Sequence, residues 1–325
     1  MRTLASRLPA PIKRPLVAVY LAAERALTQP PAPPEPVVPE EPEPLPPEPE
    51  LPTDRLFSSY DEALAAAENS SGYDEAGLSD FLARKHREYL RRGAVDHDLQ
   101  DHESHTLLSA MLSGSGSALN VLDFGGATGL AFHRFQRFCP DRRVIWNVIE
   151  VPSLAERMTD IHPDLRFSSD LAGTIDKDGP FDLVHASGAL QCVSDPRGVL
   201  DALLAAKAQH MFFGRTMFSE EDRDVIFLHK TKIAYHGLAL EDFEAPEGEI
   251  DYPFTLIPRR EFLDRMKAAG YELVSRFRSL SGRPPISSVE ISDGAYLFRR
   301  VGLAGLAVIL EFLIPGAPLD LSFES

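Results

Sequence analysis

A run of nine residues, Val121-Leu122-Asp123-Phe124-Gly125-Gly126-Ala127-Thr128-Gly129, constrains this chain more than any other. Its first half is apolar and suits a strand. Its second half is too small and glycine-rich to continue one, and a helical pattern follows at once. Glycines in such a strand-to-helix turn let backbone approach a ligand, and the helix N-terminus presents free N–H groups. The spacing narrows the ligand. A dinucleotide loop reads G-x-G-x-x-G, with its third glycine three residues after the second. Here the small residues Gly125, Ala127 and Gly129 are spaced two and two, and Leu130 stands where the last dinucleotide glycine would be. Asp123 precedes the loop by two residues. An acid so close repels a pyrophosphate and can receive an ammonium group.

The pattern around this turn alternates. Strands are expected at 119–124, 143–149, 165–168, 181–186 and 210–215. Helices are expected at 129–138, 152–160, from the Asp195-Pro196 start to about 208, and at 258–269, where Gly270 stops the last one. Strands alternating with helices imply a mostly parallel sheet covered on both faces. Two last strands, 271–277 and 295–299, have no helix between them and can pair as an antiparallel hairpin at the sheet edge. The expected fold class is therefore α/β: a Rossmann-like, seven-stranded, mostly parallel sheet. The long insertion 216–257 should form a lid or substrate wall. Ahead of the sheet, Ser59-Tyr60-Asp61-Glu62 is a capping box that predicts a helix over 60–68. A second helix is expected over 75–92, burying Leu78, Phe81, Leu82 and Tyr89, and a third over 102–112. Together they give a small helical lobe, 55–112, before a catalytic domain at 113–300.

Charge divides the chain. Of its 27 prolines, 12 lie between Pro30 and Pro52, in a stretch that with Asp54 holds seven acids and no base. Proline lacks an N–H and clashes with a preceding helical turn, so 30–54 is expected to be an extended linker. Residues 1–29 carry +4 and the linker −7, which leaves −13 of the chain's −16 on the body. Such a body is a poor binder of nucleic acid, whose affinity rests on clustered Lys and Arg. Two cysteines, Cys139 and Cys192, exclude a disulfide scaffold and a cysteine-rich zinc site. In the head, Pro15 can open a helix with Leu16, Val19, Tyr20, Ala23 and Leu27 on one face. With Arg2, Arg7, Lys13 and Arg14 upstream, it suits an anionic membrane surface, the body or a partner. Glu24-Arg25 ends the apolar run too early for a signal peptide. The apolar tail 301–314 falls short of the ~20 residues that span a bilayer. It suits packing on the body, a second subunit or a membrane surface. A cytoplasmic, membrane-peripheral protein is expected.

The turn resembles the first motif of class I S-adenosylmethionine-dependent methyltransferases, D-x-G-x-G-x-G, with Ala127 in place of the middle glycine. The resemblance implies S-adenosyl-L-methionine as cofactor, with Asp123, Gly125, Gly126, Ala127 and Gly129 at its amino-acid end. It implies Glu150, with Val151 beside it, as the acid that binds both ribose hydroxyls. Ser169 and Asp170 fall where such enzymes contact the adenine amino group. Ser187 and Gln191 lie in the fourth strand and the loop under the cofactor. A narrower resemblance, over about 57–300, rests on "FSSYDEALAAAENSSGYD", "LDFGGATG", "WNVIEVP", "GALQCVSDP", "GRTMF" and "YPFTLIPRREFLDRMKAAGYELV". These strings together resemble a bacterial family of methyltransferases.

The expected reaction is methyl transfer to a small-molecule or glycan-like acceptor, at oxygen. A non-catalytic interaction protein retaining the fold is the alternative. Asp123 is otherwise a structural acid near the helix. The catalytic base is open. The residues after the fourth strand are Leu190 and Gln191 rather than a histidine, and His185 within that strand reads as a core histidine. Arg215 at the end of the fifth strand can hold an acidic acceptor. His229, His236 and Tyr252 in the insertion are the candidate bases. His97, His102 and His105 among acids fit no zinc spacing, so no metal is expected.

Overall fold

The computed structural model describes residues 55–67, 76–93, 118–138, 140–237, 240, 242–278 and 288–301. The expected head helix, the linker, the helix at 102–112, Cys139, the three histidines at 97–105 and the tail beyond Val301 lie outside these residues.

Two helices come first. Helix α1 (Tyr60–Ala65) is capped by Ser59, whose Oγ accepts from Glu62 N at 3.1 Å. The Glu62 carboxylate reaches back to Ser58 N at 2.9 Å rather than to the cap residue itself. Helix α2 (Ala76–Arg91) buries Leu78, Phe81, Leu82 and Tyr89, the stripe its periodicity predicts.

The alternating region follows: β1 (Ala118–Phe124), α3 (Leu130–Phe138), β2 (Arg143–Ile149), α4 (Pro152–Arg157), β3 (Leu165–Ser168), α5 (Leu171–Asp178), β4 (Leu183–Ser187), α6 (Pro196–Ala205) and β5 (His210–Ser219). Then come β6 (Val225–Lys232), β7 (Glu249–Leu256), α7 (Arg259–Ala268), β8 (Tyr271–Arg278) and β9 (Ile291–Arg300). The main sheet has the order β3-β2-β1-β4-β5-β9-β8. Its first five strands are parallel, and β9 runs antiparallel to both β5 and β8. This is the seven-stranded Rossmann-like sheet expected, with the terminal strands forming its antiparallel edge. Strand order reverses beside β1, which opens a crevice at the carboxyl ends of β1 and β4.

Period-two alternation sorts the strands onto two faces. Leu122, Val184, Met211, Phe213 and Phe298 pack with Leu200 and Leu203 of α6 and Phe262 and Met266 of α7. Val121, Trp146, Val148 and Phe212 pack on the other face with Phe132 and Phe135 of α3. Helix α5 was not expected. Asp170 caps it by accepting from Gly173 N at 2.9 Å, a start signal hidden among short polar residues.

The insertion is an antiparallel hairpin, β6–β7, forming its own two-stranded sheet. One of its faces packs on α2 and α4 through Phe227, Ile250, Tyr252 and Phe254. Ile226 and Leu228 pack on Phe57 and Ala63 of the first helix region. All these elements belong to one compact unit, Leu51–Ser325, so the two leading helices share a core with the hairpin. The hairpin's root is tied down by charge. Arg197 on α6 donates to Asp224 at 2.7 and 2.8 Å and to Glu261 at 2.6 and 2.7 Å. Arg259 binds Glu220 through two hydrogen bonds of 2.6 and 2.7 Å. Among the described residues, no helix is long and apolar enough to cross a membrane.

Phe81 is the aromatic of α2 buried deepest in the core it shares with the hairpin. Phe81→Ala should lower the unfolding free energy by about 3–5 kcal/mol. Urea denaturation followed by circular dichroism measures it; a loss under ~1 kcal/mol would contradict this packing.

Candidate active site

The glycine turn joins β1 to α3 at the crevice. Gly125, Ala127 and Gly129 all lie in the left-handed region, at φ 65°, 48° and 78°. Alternating left-handed residues coil the backbone into a cradle. Gly125 is required twice over, since a Cβ there would lie 2.3 Å from the Cβ of Ala189. Ala127, the departure from the glycine pattern, holds its left-handed conformation at a cost of about 1–2 kcal/mol. What holds it is Glu150, whose Oε2 accepts from Ala127 N at 2.9 Å. The other oxygen, Oε1, accepts from Val151 N at 3.0 Å. Glu150 ends β2 and is 8% exposed.

Asp123 corrects the sequence expectation that it meets an ammonium. It is 0% exposed and lies beneath the turn, on the α3 face of the sheet. Trp146 Nε1 donates to its Oδ2 at 2.8 Å, and His185 Nδ1 meets its Oδ1 at 2.6 Å. His185 lies directly opposite Asp123 across the β1–β4 pair and stacks on Phe212. It is a core histidine with a partner. A Cβ at residue 126 would come within 2.4 Å of Asp123 Oδ2, so the carboxylate demands Gly126 above it. The acid therefore supports the turn and does not line the crevice.

Ser169 and Asp170 are exposed at the end of β3, and the Asp170 side chain is engaged in capping α5. Beyond β4, Leu190–Cys192 forms a 3-10 turn that packs against β7. Gln191 is buried, and its Nε2 donates to the Arg215 carbonyl at 3.1 Å. Arg215 in turn donates from Nε to Ser187 Oγ at 3.1 Å. The structure thus brings Ser187, Gln191 and Arg215 together at the carboxyl end of β4; Arg215 does not end the fifth strand as expected but lies midway along it, because β5 continues to Ser219 in its pairing with β9. Burial pushes the Cys192 thiol up to about 12, with the Glu150 charge adding to the rise.

His229 and Tyr252 face each other across the hairpin ladder. The His229 ring stacks on Phe254 at 4.7 Å and meets Tyr252 edge-on at 5.3 Å. Its Nδ1 is buried with no hydrogen-bond partner among the described residues. Burial pushes His229 down to about 4, and burial with the His229 charge does the same to His236. Both are neutral at pH 7.

One site residue escaped the sequence reading. His86 on α2 is 1% exposed, and its Nδ1 lies 2.9 Å from Thr128 Oγ1, inside the glycine turn. Its neighbour Lys85 donates to the carbonyls of Ala234 and His236, at 3.3 and 3.1 Å. Consecutive residues of α2 thus hold the cofactor turn and the end of the hairpin. The signal was present, because residue 86 lies four after Leu82 on the buried stripe. Burial, with the charges of His133 and Arg87, pushes His86 down to about 3.

No family model matches the chain, and no curated protein does. Several solved structures are similar to it. The CcbJ methyltransferase from Streptomyces caelestis is 15% identical and aligns over 71% of this chain and all of its own, at a TM-score of 0.41. The glycopeptide N-methyltransferase MtfA, in complex with S-adenosyl-L-methionine, is 14% identical over 67% of this chain and 98% of its own, at 0.39. A 1,6-didemethyltoxoflavin-N1-methyltransferase from Burkholderia thailandensis, holding S-adenosylhomocysteine, is 15% identical over 73% and 95%, at 0.35. The fold assignment rests on the strand order itself, a Rossmann-like parallel sheet with an antiparallel edge.

Two predictions follow from this geometry. Asp123→Ala strands two buried donors, Trp146 Nε1 and His185 Nδ1, and should destabilise by about 2–5 kcal/mol in chemical denaturation. Asp123→Asn, which keeps an oxygen for one donor, should cost less. The second concerns pH. His86, His133, His229 and His236 fold with pKa values of about 3 to 4, against 6.5 when exposed. The unfolded chain therefore binds protons that the folded chain refuses. Their contribution to stability is complete above pH 6.5 and is lost as pH falls towards 4 and below. The urea midpoint should fall steadily from pH 7 to pH 4, and a midpoint flat over that window would contradict neutral buried histidines.

Proposed function

We propose that this chain is an enzyme that transfers the methyl group of S-adenosyl-L-methionine to a small-molecule or glycan-like acceptor, at oxygen. The observation that carries the reading is the left-handed cradle at residues 125, 127 and 129, tied by its central N–H to an acid at the end of the next strand. The residues fit the cofactor. The cradle has no side chain larger than a methyl at its three left-handed positions, so backbone lies open to the amino-acid end. A carboxylate at the end of β2, beside the cradle, suits the two ribose hydroxyls as an acceptor. Val151 follows it directly. Ser169 and Asp170 stand exposed on the side where an adenine would lie, while Ser187 and Gln191 support the floor. Asp123 acts through the turn, by fixing Gly126 and the start of α3.

Bound S-adenosyl-L-methionine supplies a methyl group already activated by its sulfonium. What remains for the protein is to align the acceptor and exclude water. The hairpin β6–β7, packed on α2 and against the Leu190–Cys192 turn, supports the role of acceptor wall. A hydroxyl acceptor must lose a proton as it is methylated, and a neutral imidazole can take it. His229 is the candidate in the hairpin, its Nδ1 unengaged among the described residues and Tyr252 beside it, and at about 4 its pKa must rise on acceptor binding before it serves as a base.

Isothermal calorimetry with S-adenosyl-L-methionine tests the reading. The wild-type chain should bind one equivalent, and Glu150→Ala should weaken binding at least about tenfold by removing charge-assisted hydrogen bonds. Transfer of label from the cofactor into a lysate, resolved by mass spectrometry, should then reveal the acceptor class. A wild-type chain that binds neither S-adenosyl-L-methionine nor S-adenosylhomocysteine sinks the proposal.

A further inference from the structure

Arg215 is exposed, yet both its backbone and its side chain are held in place. The β5–β9 ladder shifts register between Phe213 and Thr216, so Gly214 and Arg215 form a bulge. Arg215 is there left-handed, at φ 45°, without being glycine. Bulges beside a crevice re-aim side chains, and non-glycine residues kept left-handed cluster at ligand sites. The bulge is braced from below. Gln191, 5% exposed, donates from Nε2 to the Arg215 carbonyl at 3.1 Å, and its own Oε1 has no partner among the described residues. The side chain is braced as well. Its Nε donates to Ser187 Oγ at 3.1 Å. Gly188 is also left-handed, and a Cβ on it would lie 3.7 Å from Nε, Cζ and Nη2 alike. The guanidinium is thus seated over the bare backbone at the end of β4, with Nε donating to Ser187 Oγ and Nη2 to the Ser187 carbonyl at 3.5 Å, and with Nη1 making no hydrogen bond among the described residues.

Nothing among the described residues neutralises it. No carboxylate of the described residues lies within 4.0 Å of Arg215, whereas Arg197, Arg259 and Arg265 on the neighbouring helices are all paired. Ser187, which accepts from Arg215, ends β4, and Ala189 two residues on abuts Gly125 of the glycine turn, so the arginine lies at the same crevice. An arginine fork matches a carboxylate or a phosphate.

We propose that the methyl acceptor carries an anionic group, carboxylate or phosphate, and that Arg215 binds it beside the cofactor. The proposal rests on the methyltransferase reading above and names its substrate class.

The test uses the full chain saturated with S-adenosylhomocysteine. It is titrated at low ionic strength with malonate and, separately, with inorganic phosphate, by calorimetry and thermal shift. One of the two should bind at a single site and raise the Tm, and which one does so distinguishes carboxylate from phosphate. Arg215→Gln should weaken that anion at least tenfold, and Arg215→Lys should restore part of the affinity. Arg215→Gly relieves the left-handed strain, so it should lose the anion while its Tm without anion stays at or above the wild-type value. That result separates lost binding from lost folding. Saturated wild type that binds neither anion, or an Arg215→Gln variant that binds it equally well, overturns the proposal. So does an Arg215→Gln variant that loses S-adenosylhomocysteine tenfold, because the arginine would then serve the cofactor's own carboxylate. If wild type does not bind S-adenosylhomocysteine, the methyltransferase reading falls and takes this proposal with it. Cofactor binding with both anion arms empty removes this proposal alone.

Discussion

The buried Asp123 carboxylate is the constraint on which the rest of the site depends. It sits at the end of the central strand and takes one hydrogen bond from β2, through Trp146, and one from β4, through His185. A carboxylate removed from water is costly unless its lone pairs are met, and here two neighbouring strands meet them. The same carboxylate leaves no room for a side chain at residue 126, so the chain must turn with glycine there. Strand spacing, turn path and the position of α3 are therefore fixed by one group. The path of the turn is thus set by a fully buried residue beneath it.

Above that support, the site is assembled from both sides of the turn. Glu150 holds Ala127 from the β2 side, while His86 reaches Thr128 from α2. Lys85, adjacent to His86, holds the end of the hairpin. The glycine turn and the hairpin are thus both tied to one helix, through consecutive residues. The histidines in this region are neutral because they are buried, which lets them act as acceptors and as packing groups at once.

The parallel sheet was legible because its signals are local: short apolar runs, an N-cap with proline at 195–196 and a stop glycine at 270. The antiparallel edge followed from the missing helix between the last two strands. The turn and Glu150 were legible because their spacing is dictated by strand length. What escaped depends on the third dimension. Asp123 has the same sequence position whether it faces a ligand or the core, and only the Trp146 and His185 partners decide. Helix α5 was hidden because Asp170 carries a cap and a candidate ligand role in one side chain. The β5 bulge at Gly214–Arg215 leaves no trace in composition, since it exists only against β9, some eighty residues away.

The hairpin's attachment has a further consequence. It is inserted between β5 and α7, stands as a separate two-stranded sheet, and is clamped at its root by Arg197 and Arg259. Its inner face can change residue by residue without disturbing a single ladder bond of the main sheet. A lineage of such chains could vary the hairpin while inheriting an unaltered sheet and glycine turn. Evolutionary change should then concentrate between residues 225 and 256, and resistance to change around residues 121 to 129.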